Sequence, residues 1–196
     1  PELNEKYLRS MSRADARRVV QMHLEHHGVA GMIGSIDCMH LVWRTCPMAW
    51  RGQFKGKEKY ATIVLEAMAD HTLWVWHGNF GAPGSLNDIN IWDRSPLYER
   101  FIDGSFIEEV DFEFELGGER FSKLWATADG IYPDLERLAK PFAEPVGADN
   151  IRYSSWQEST RKDIERCFGV LQRKFAFLAK PVELWYIEEI SNAVYA

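Results

Sequence analysis

The sequence predicts an α/β protein in which a mixed β-sheet is flanked by helices. Three observations lead there. Apolar runs of strand length, Met32 to Trp43, Tyr60 to Ala69 and Thr72 to Phe80, follow one another closely. A later segment, Val110 to Leu116, alternates apolar and acidic residues, as a strand with one wet face does. Near the end, Ile164, Phe168, Leu171, Phe175 and Leu178 recur every three or four residues, the single buried stripe of a long helix from Ser155 to Leu178. Strands followed by flanking helices belong to a sheet with helices packed on it.

The other elements follow in order. Tyr7 to His27 reads as a helix with an irregular apolar stripe (Leu8, Met11, Ala14, Val19, Met22, Leu24), ended by Gly28. Thr45 to Lys59, rich in Gly and Lys, reads as a loop, and Asp70-His71 as the turn between the second and third strands. Gly81 to Ser85 breaks the third strand. A helix is expected from Asn87 to Phe101, capped by Ser85, Asn87 or Asp88. Gly117-Gly118 is a hairpin turn, and the chain returns as a strand through Phe121 to Ala128, ending at Asp129-Gly130. Pro133 suits the first turn of a short helix, and Pro181 follows the long one. The expected organisation is a lead-in helix over 1–28 and one domain over 29–196, with a small β-hairpin inserted before the fourth core strand. A start without Met, and an end inside the helical pattern of Ile187, Ile190 and Val194, read as a fragment cut at both ends.

Composition narrows the function classes. The 196 residues suit one hydrophobic core, and 13% aromatic content with eight tryptophans excludes a disordered chain. The apolar runs fall short of the roughly 18 residues of a membrane span, and the charged stretch Pro1 to Arg13 is no signal peptide. Three cysteines without CxxC spacing fit a reducing compartment, cytosol or nucleus. The net charge of −6 speaks against a surface that grips DNA all over, but carboxylates that hold metal ions carry negative charge themselves. Cys38, His40 and Cys46 fit no zinc spacing, and His23, His26 and His27 lack the HExxH arrangement and are expected at the surface. Trp50, Trp74, Trp76 and Trp92 are expected in the core rather than stacked on bases.

The acids are the candidates for chemistry. Asp37 interrupts the apolar run Gly34 to His40, and a buried acid is costly unless paired or metal-bound. Asp129 ends a strand, where sites in sheet proteins tend to lie. Glu165 follows Ile164 on the long helix, so it borders the sheet-facing side, with Arg161 and Gly169 on its own face. Singly, each also fits a wet strand face, a turn and a surface ion pair. Together, three convergent carboxylates can hold two divalent ions about 4 Å apart for in-line phosphoryl displacement. Oxygen ligands suit Mg²⁺ or Mn²⁺. Lys55, Lys57 and Lys59 with Arg44 and Arg51, and Arg161, Lys162, Arg166, Arg173 and Lys174, read either as phosphate contacts along a DNA path or as solvated charge.

Four motifs carry a resemblance: Gly31 to His40 (GMIGSIDCMH), Pro83 to Asp88 (PGSLND), Ala128 to Pro133 (ADGIYP) and Ile164 to Phe175 (IERCFGVLQRKF). In this order they resemble PIF/Harbinger-type DNA transposases, closest to the plant transposon protein branch, over most of Gly31 to Leu178. The resemblance implies an RNase H-like DDE nuclease domain with Asp37, Asp129 and Glu165 as catalytic, metal-holding triad. Asp88 is a helix cap, a group beside the metal ligands, or an alternative to Asp129 as the second ligand. It further implies cutting of double-stranded DNA at transposon ends, joining of 3′-hydroxyls to target DNA, a nuclear site of action, homo-oligomerisation and a Myb-like DNA-binding partner. The alternatives are a domesticated relative that binds DNA or protein without cutting, and an RNase H-like enzyme that cleaves RNA.

Overall fold

The computed structural model describes residues 9–106 and 113–196. Its elements in chain order are α1 (Arg13–His27), β1 (Met32–Val42), α2 (Met48–Phe54), β2 (Thr62–Ala69), β3 (Val75–Pro83), α3 (Asp88–Trp92) and α4 (Pro96–Asp103). Then come β4 (Phe114–Leu116), β5 (Glu119–Phe121), β6 (Trp125–Thr127), β7 (Leu138–Ala139), α5 (Ala148–Lys174), α6 (Ala176–Ala179) and α7 (Ile187–Tyr195).

A mixed five-stranded sheet in the order β3-β2-β1-β6-β7 organises the molecule. The first three strands form an antiparallel meander, while β6 runs parallel to β1 and β7 parallel to β6. The hairpin β4–β5 stands apart as its own two-stranded sheet. Two apolar cores lie on the sheet. One gathers Ile36, Met68 and Trp76 with Val19 of α1, Trp92 of α3 and Leu97 of α4. The other gathers Met39, Leu41, Ile63 and Leu65 with Ile164, Cys167 and Phe168 of α5, Leu178 of α6 and Ile190 of α7. The result is an α/β architecture with helices on both faces of the sheet.

Several elements differ from expectation for local reasons. The helix α1 begins at Arg13, because Ser12 and Asp15 form a capping box; Tyr7 and Leu8 of the expected helix lie outside the described residues. It buries Ala16, Val19, Val20 and His23, and leaves Leu24 exposed. The expected loop Thr45–Lys59 contains α2, whose Phe54 packs edge-on against Trp43 at 5.0 Å. The helix expected over Asn87 to Phe101 is two helices. Pro96 brings no N–H, and the Ser95 hydroxyl accepts from Leu97 N to cap the second. The returning strand is divided as well, since β5 pairs with β4 whereas β6 pairs with β1 and β7. Instead of a helix after Pro133 the chain turns and forms β7, where Ala126 and Ala128 donate to the carbonyls of Arg137 and Ala139. The long helix starts earlier, at Ala148, and yields at Phe175, which is 56% exposed and extended. The strand expected from Val110 lies outside the described residues up to Phe112 and is present over Phe114–Leu116.

Candidate active site

The register of the sheet decides what meets what. Ser35 of β1 sits beside Thr127 of the parallel β6, and the Thr127 hydroxyl donates to Ser35 Oγ at 2.8 Å. Ser35 Oγ in turn donates to the Thr160 carbonyl of α5, and Gln157 donates to Ala128 and Ala139 carbonyls. These contacts fix one layer of strand, strand and helix. Two residues further along each strand return to the same face. That step leads to Asp37 on β1 and Asp129 just past β6, while the next part of α5 brings Arg161 and Glu165. A strand advances about 6.6 Å in two residues and a helix about 5.4 Å in a turn, so the next layer stays matched.

Arg161 joins that layer. Its Nη1 lies 3.0 Å from Asp37 Oδ2 and its Nη2 lies 2.9 Å from Glu165 Oε1. The other Asp37 oxygen accepts from Cys38 N at 2.9 Å, and the Asp129 carboxylate accepts from Gly130 N at 2.6 Å. Burial pushes the Asp37 carboxyl up to about 6; the Cys38 N–H and Arg161 pull it down, and Asp88 and Asp129 push it further up. Asp88, first residue of α3, is also raised by burial, with His40 and the Cys38 thiol acting against this. Cys38 faces away from Asp37 by strand alternation and touches the Tyr132 hydroxyl at 3.6 Å, so Asp88 approaches β1 from the side opposite α5. Asn87, not Asp88, caps α3.

Asp37, Asp129 and Glu165 thus border one region, yet not as a closed cage. Among the described residues the one set of three ligand groups within 4.8 Å of one another is His23, His27 and Asp163. The Arg161 guanidinium lies between two of the acids, Asp37 and Glu165. Gly169 has open space around it and stands exposed, so it clears the surface beside Glu165 rather than fitting against a neighbour.

The basic candidates separate. Lys55, Lys57, Lys59 and Lys162 are exposed. Gly56 packs so tightly against Gly84 that a Cβ there would come within 2.1 Å of the Gly84 carbonyl, which holds Lys57 near Asp88. Arg44 pairs with Glu183, and Arg166 turns to Asp163 and the His71 carbonyl. At the end of β1, Arg44, Arg51, Lys55, Lys59 and Tyr60 line a groove of about 680 Å³. Of the tryptophans, Trp76 and Trp92 are core, Trp74 is half-buried and Trp50 is 43% exposed. The three cysteines are free, and Cys46 is buried away from His40, which contacts Thr62.

The histidines are the clearest correction. His23 is wholly buried and His27 half-buried, although all three of the α1 histidines were expected outside; His26 alone is exposed. The signal was the separation of His23 and His27 by one helical turn, on the face that carries Ala16 and Val19.

These features define an α/β protein that collects carboxylates from two parallel strands and a covering helix beside one guanidinium. A family model described as "Plant transposon protein" matches residues 5–196, and the chain belongs to that family. Its origin is accordingly transposase-related. Comparison with curated proteins and with solved structures gives no match.

Proposed function

We propose that this chain is the RNase H-like catalytic domain of a DDE-type transposase, a metal-dependent nuclease that cuts double-stranded DNA at transposon ends and joins the 3′-hydroxyls to target DNA. The observation that carries the reading is the neighbourhood of Asp37 and Asp129 on parallel strands, with Arg161 linking Asp37 to Glu165 of the covering helix. The sheet order, a meander extended by two parallel strands, supports the RNase H-like assignment.

The donor set fits two hard cations, Mg²⁺ or Mn²⁺ in its place. The donors are oxygens, and Asp37 and Asp88 are carboxyls raised chiefly by burial, with Asp129 adding to both, beside a single guanidinium. Asp37, Asp129 and Glu165 would hold the ions, with Asp88 as a further candidate. When bound, such ions lower the pKa of an attacking water and stabilise the leaving oxygen. The chain's own groups do the rest. The backbone N–H groups of Cys38 and Gly130 orient one oxygen each of Asp37 and Asp129. Arg161 balances Asp37 and Glu165 while no cation is present, and releases them to one that binds. Lys55, Lys57, Lys162 and the basic groove with Arg44 contact backbone phosphates, and Arg166 stays with Asp163. Recognition of the transposon ends falls to a Myb-like partner or a further DNA-binding segment, and the site of action is the nucleus.

The test is nicking of supercoiled plasmid by the purified chain. Nicked circles that require Mg²⁺ or Mn²⁺, vanish with EDTA and vanish in Asp37→Ala carry the reading. Cleavage that persists in Asp37→Ala overturns it. A second reading, a domesticated protein that binds DNA without cutting, draws on Arg161 already occupying two of the acids. Salt-sensitive plasmid binding with no nicking in Mn²⁺ would establish that one.

A further inference from the structure

Behind the carboxylate layer lies a second cluster that the proposed nuclease does not use. His23 and His27 share one face of α1, one turn apart, and meet Asp163 of α5 with ligand atoms all within 4.8 Å. His27 Nε2 is 2.8 Å from Asp163 Oδ2. His71, in the β2–β3 turn, brings Nδ1 to 3.0 and 3.1 Å from the two oxygens of the same carboxylate. His23 is 0% exposed, and neither of its ring nitrogens has a hydrogen-bond partner. A buried imidazole with two unmet nitrogens costs free energy, so this arrangement is incomplete as it stands.

We propose that His23, His27 and Asp163 are ligands of a divalent transition-metal ion, Zn²⁺ by preference, with His71 as the fourth ligand. The ion fastens α1 to α5 and to the β2–β3 turn. Three imidazoles and one carboxylate are the borderline donors that Zn²⁺ takes tetrahedrally and that Mg²⁺ avoids. Bonds of about 2.0–2.1 Å place tetrahedral ligand atoms about 3.3 Å apart. The contacts of 2.8–3.1 Å around Asp163 therefore need to open by a few tenths of an ångström, while His23, within 4.8 Å, and His71, outside that set, draw in to complete the tetrahedron. The ion takes the place of the N–H on each ligating nitrogen: a neutral imidazole carries its proton on the other ring nitrogen instead, and a protonated one releases a proton to solvent.

The surroundings suit a rigid site. Asp70 is buried and accepts from Thr72 N at 2.8 Å and from Trp76 Nε1 at 2.8 Å, which fixes the turn that carries His71. Leu73 in that turn holds a left-handed φ of 69°, a conformation that packing must enforce. His26 stacks on His71 at 4.3 Å, and Arg166 holds Asp163 Oδ1 and the His71 carbonyl from the solvent side. Burial lowers the His23 pKa to about 4, followed by the effect of His27, so its ring is neutral and has a lone pair to give.

The experiment is metal analysis of the full chain, purified without a histidine tag after growth with zinc. One Zn²⁺ per chain is expected by elemental mass spectrometry, and Co²⁺ substitution should give the intense visible absorption of a tetrahedral site. Removal by chelator should lower the melting temperature by roughly 5–10 °C, if the ion is present at about a hundredfold over its Kd. Zinc should persist in the double variant Asp37→Asn/Asp129→Asn and be lost in His27→Asn and Asp163→Asn. Retention in the first variant separates this site from the nuclease reading, so either can fail alone. Substoichiometric zinc in the wild-type chain with no tetrahedral cobalt spectrum overturns the proposal, whatever the variants do. Undiminished zinc in folded His27→Asn and Asp163→Asn overturns it equally.

Discussion

The two sides of α5 solve the burial of charge in opposite ways. On one, Arg161 and Glu165 share a face and meet Asp37, and every carboxylate has a cation or a backbone N–H beside it. On the other, Asp163 and Arg166 share a face and lie among three imidazoles, one of which stacks on its neighbour but has no hydrogen-bond partner. The first side has more carboxylates than cations and lies open, with Glu165 47% exposed; the second leaves both nitrogens of His23 unbonded and buries its acid, with Asp163 6% exposed. An open, over-negative site suits labile oxygen-bound cations that work on a polyanion. A closed, under-bonded site suits an ion that stays.

The largest effect should come from the open side. Asp37→Asn or Asp129→Asn removes a metal oxygen ligand, and plasmid nicking in Mg²⁺ is expected to fall by a factor on the order of 10³. The same variants should keep the zinc content unchanged. Loss of zinc together with nicking would break the comparison, because the two sides would then be one coupled site.

What the sequence made legible follows the same division. Periodicity revealed β1, β2, β3 and the buried stripe of α5, and the motifs pointed to Asp37, Asp129 and Glu165. What escaped depended on contacts between distant segments. The strand β7 has two residues and exists because the Arg137 and Ala139 carbonyls meet β6, which no local pattern announces. The break of α4 from α3 is carried by Ser95-Pro96, a local cap signal inside an otherwise continuous helical pattern. The absence of an HExxH arrangement places His23 at the surface in the sequence reading, whereas tertiary packing buries the face that it shares with Ala16 and Val19. The bridging role of Arg161 needs the spacing of Glu165, which the sequence supplies, and the register of Asp37, which it does not.

Arg161 gives the next effect. Removing it in Arg161→Ala leaves Asp37 and Glu165 facing each other without a cation. A fully buried pair broken in this way costs about 3–5 kcal/mol, and the half-exposed Glu165 reduces that to about 2 kcal/mol. Urea denaturation checks the loss. Millimolar Mg²⁺ should recover part of it in the variant and little in the wild-type chain, since the ion takes the place of the guanidinium. A variant insensitive to Mg²⁺ would show that the acids do not want a cation.

The metal-free chain should also gain from losing a charge there. The folded Asp37 carboxyl is raised to about 6, above its ordinary value near 3.8, chiefly by burial. A raised acid loses stability as pH climbs from about 4 to 6 and stays destabilising above, by about 1.4 kcal/mol per pH unit crossed. Asp37→Asn should therefore stabilise by about 1–2 kcal/mol at pH 7 with EDTA, less than the full amount because an amide holds Arg161 more weakly. At pH 4 the gain should disappear. A gain that persists at pH 4 would trace to packing instead of charge.

The smallest effect tests whether the closed side depends on α1 as a whole. Asp15 completes the capping box with Ser12 and binds Arg9 at 2.6 Å. Its carboxyl is held well below the ordinary range by the Arg9 hydrogen bond first, with burial opposing and Ser12 assisting. A depressed acid contributes stability that is complete above the unfolded value near 4 and is lost as pH falls toward the folded one. Asp15→Ala should cost about 1 kcal/mol at pH 7, the usual worth of a cap, and progressively less below pH 4. Fraying at the start of α1 lies two turns from His23, so zinc content should hold while chelator-induced melting shifts grow, because the ion then carries more of the helix's attachment. Plasmid nicking should not change. A fall in nicking would mean that α1 positions the carboxylates too, and that the two faces of α5 are not independent.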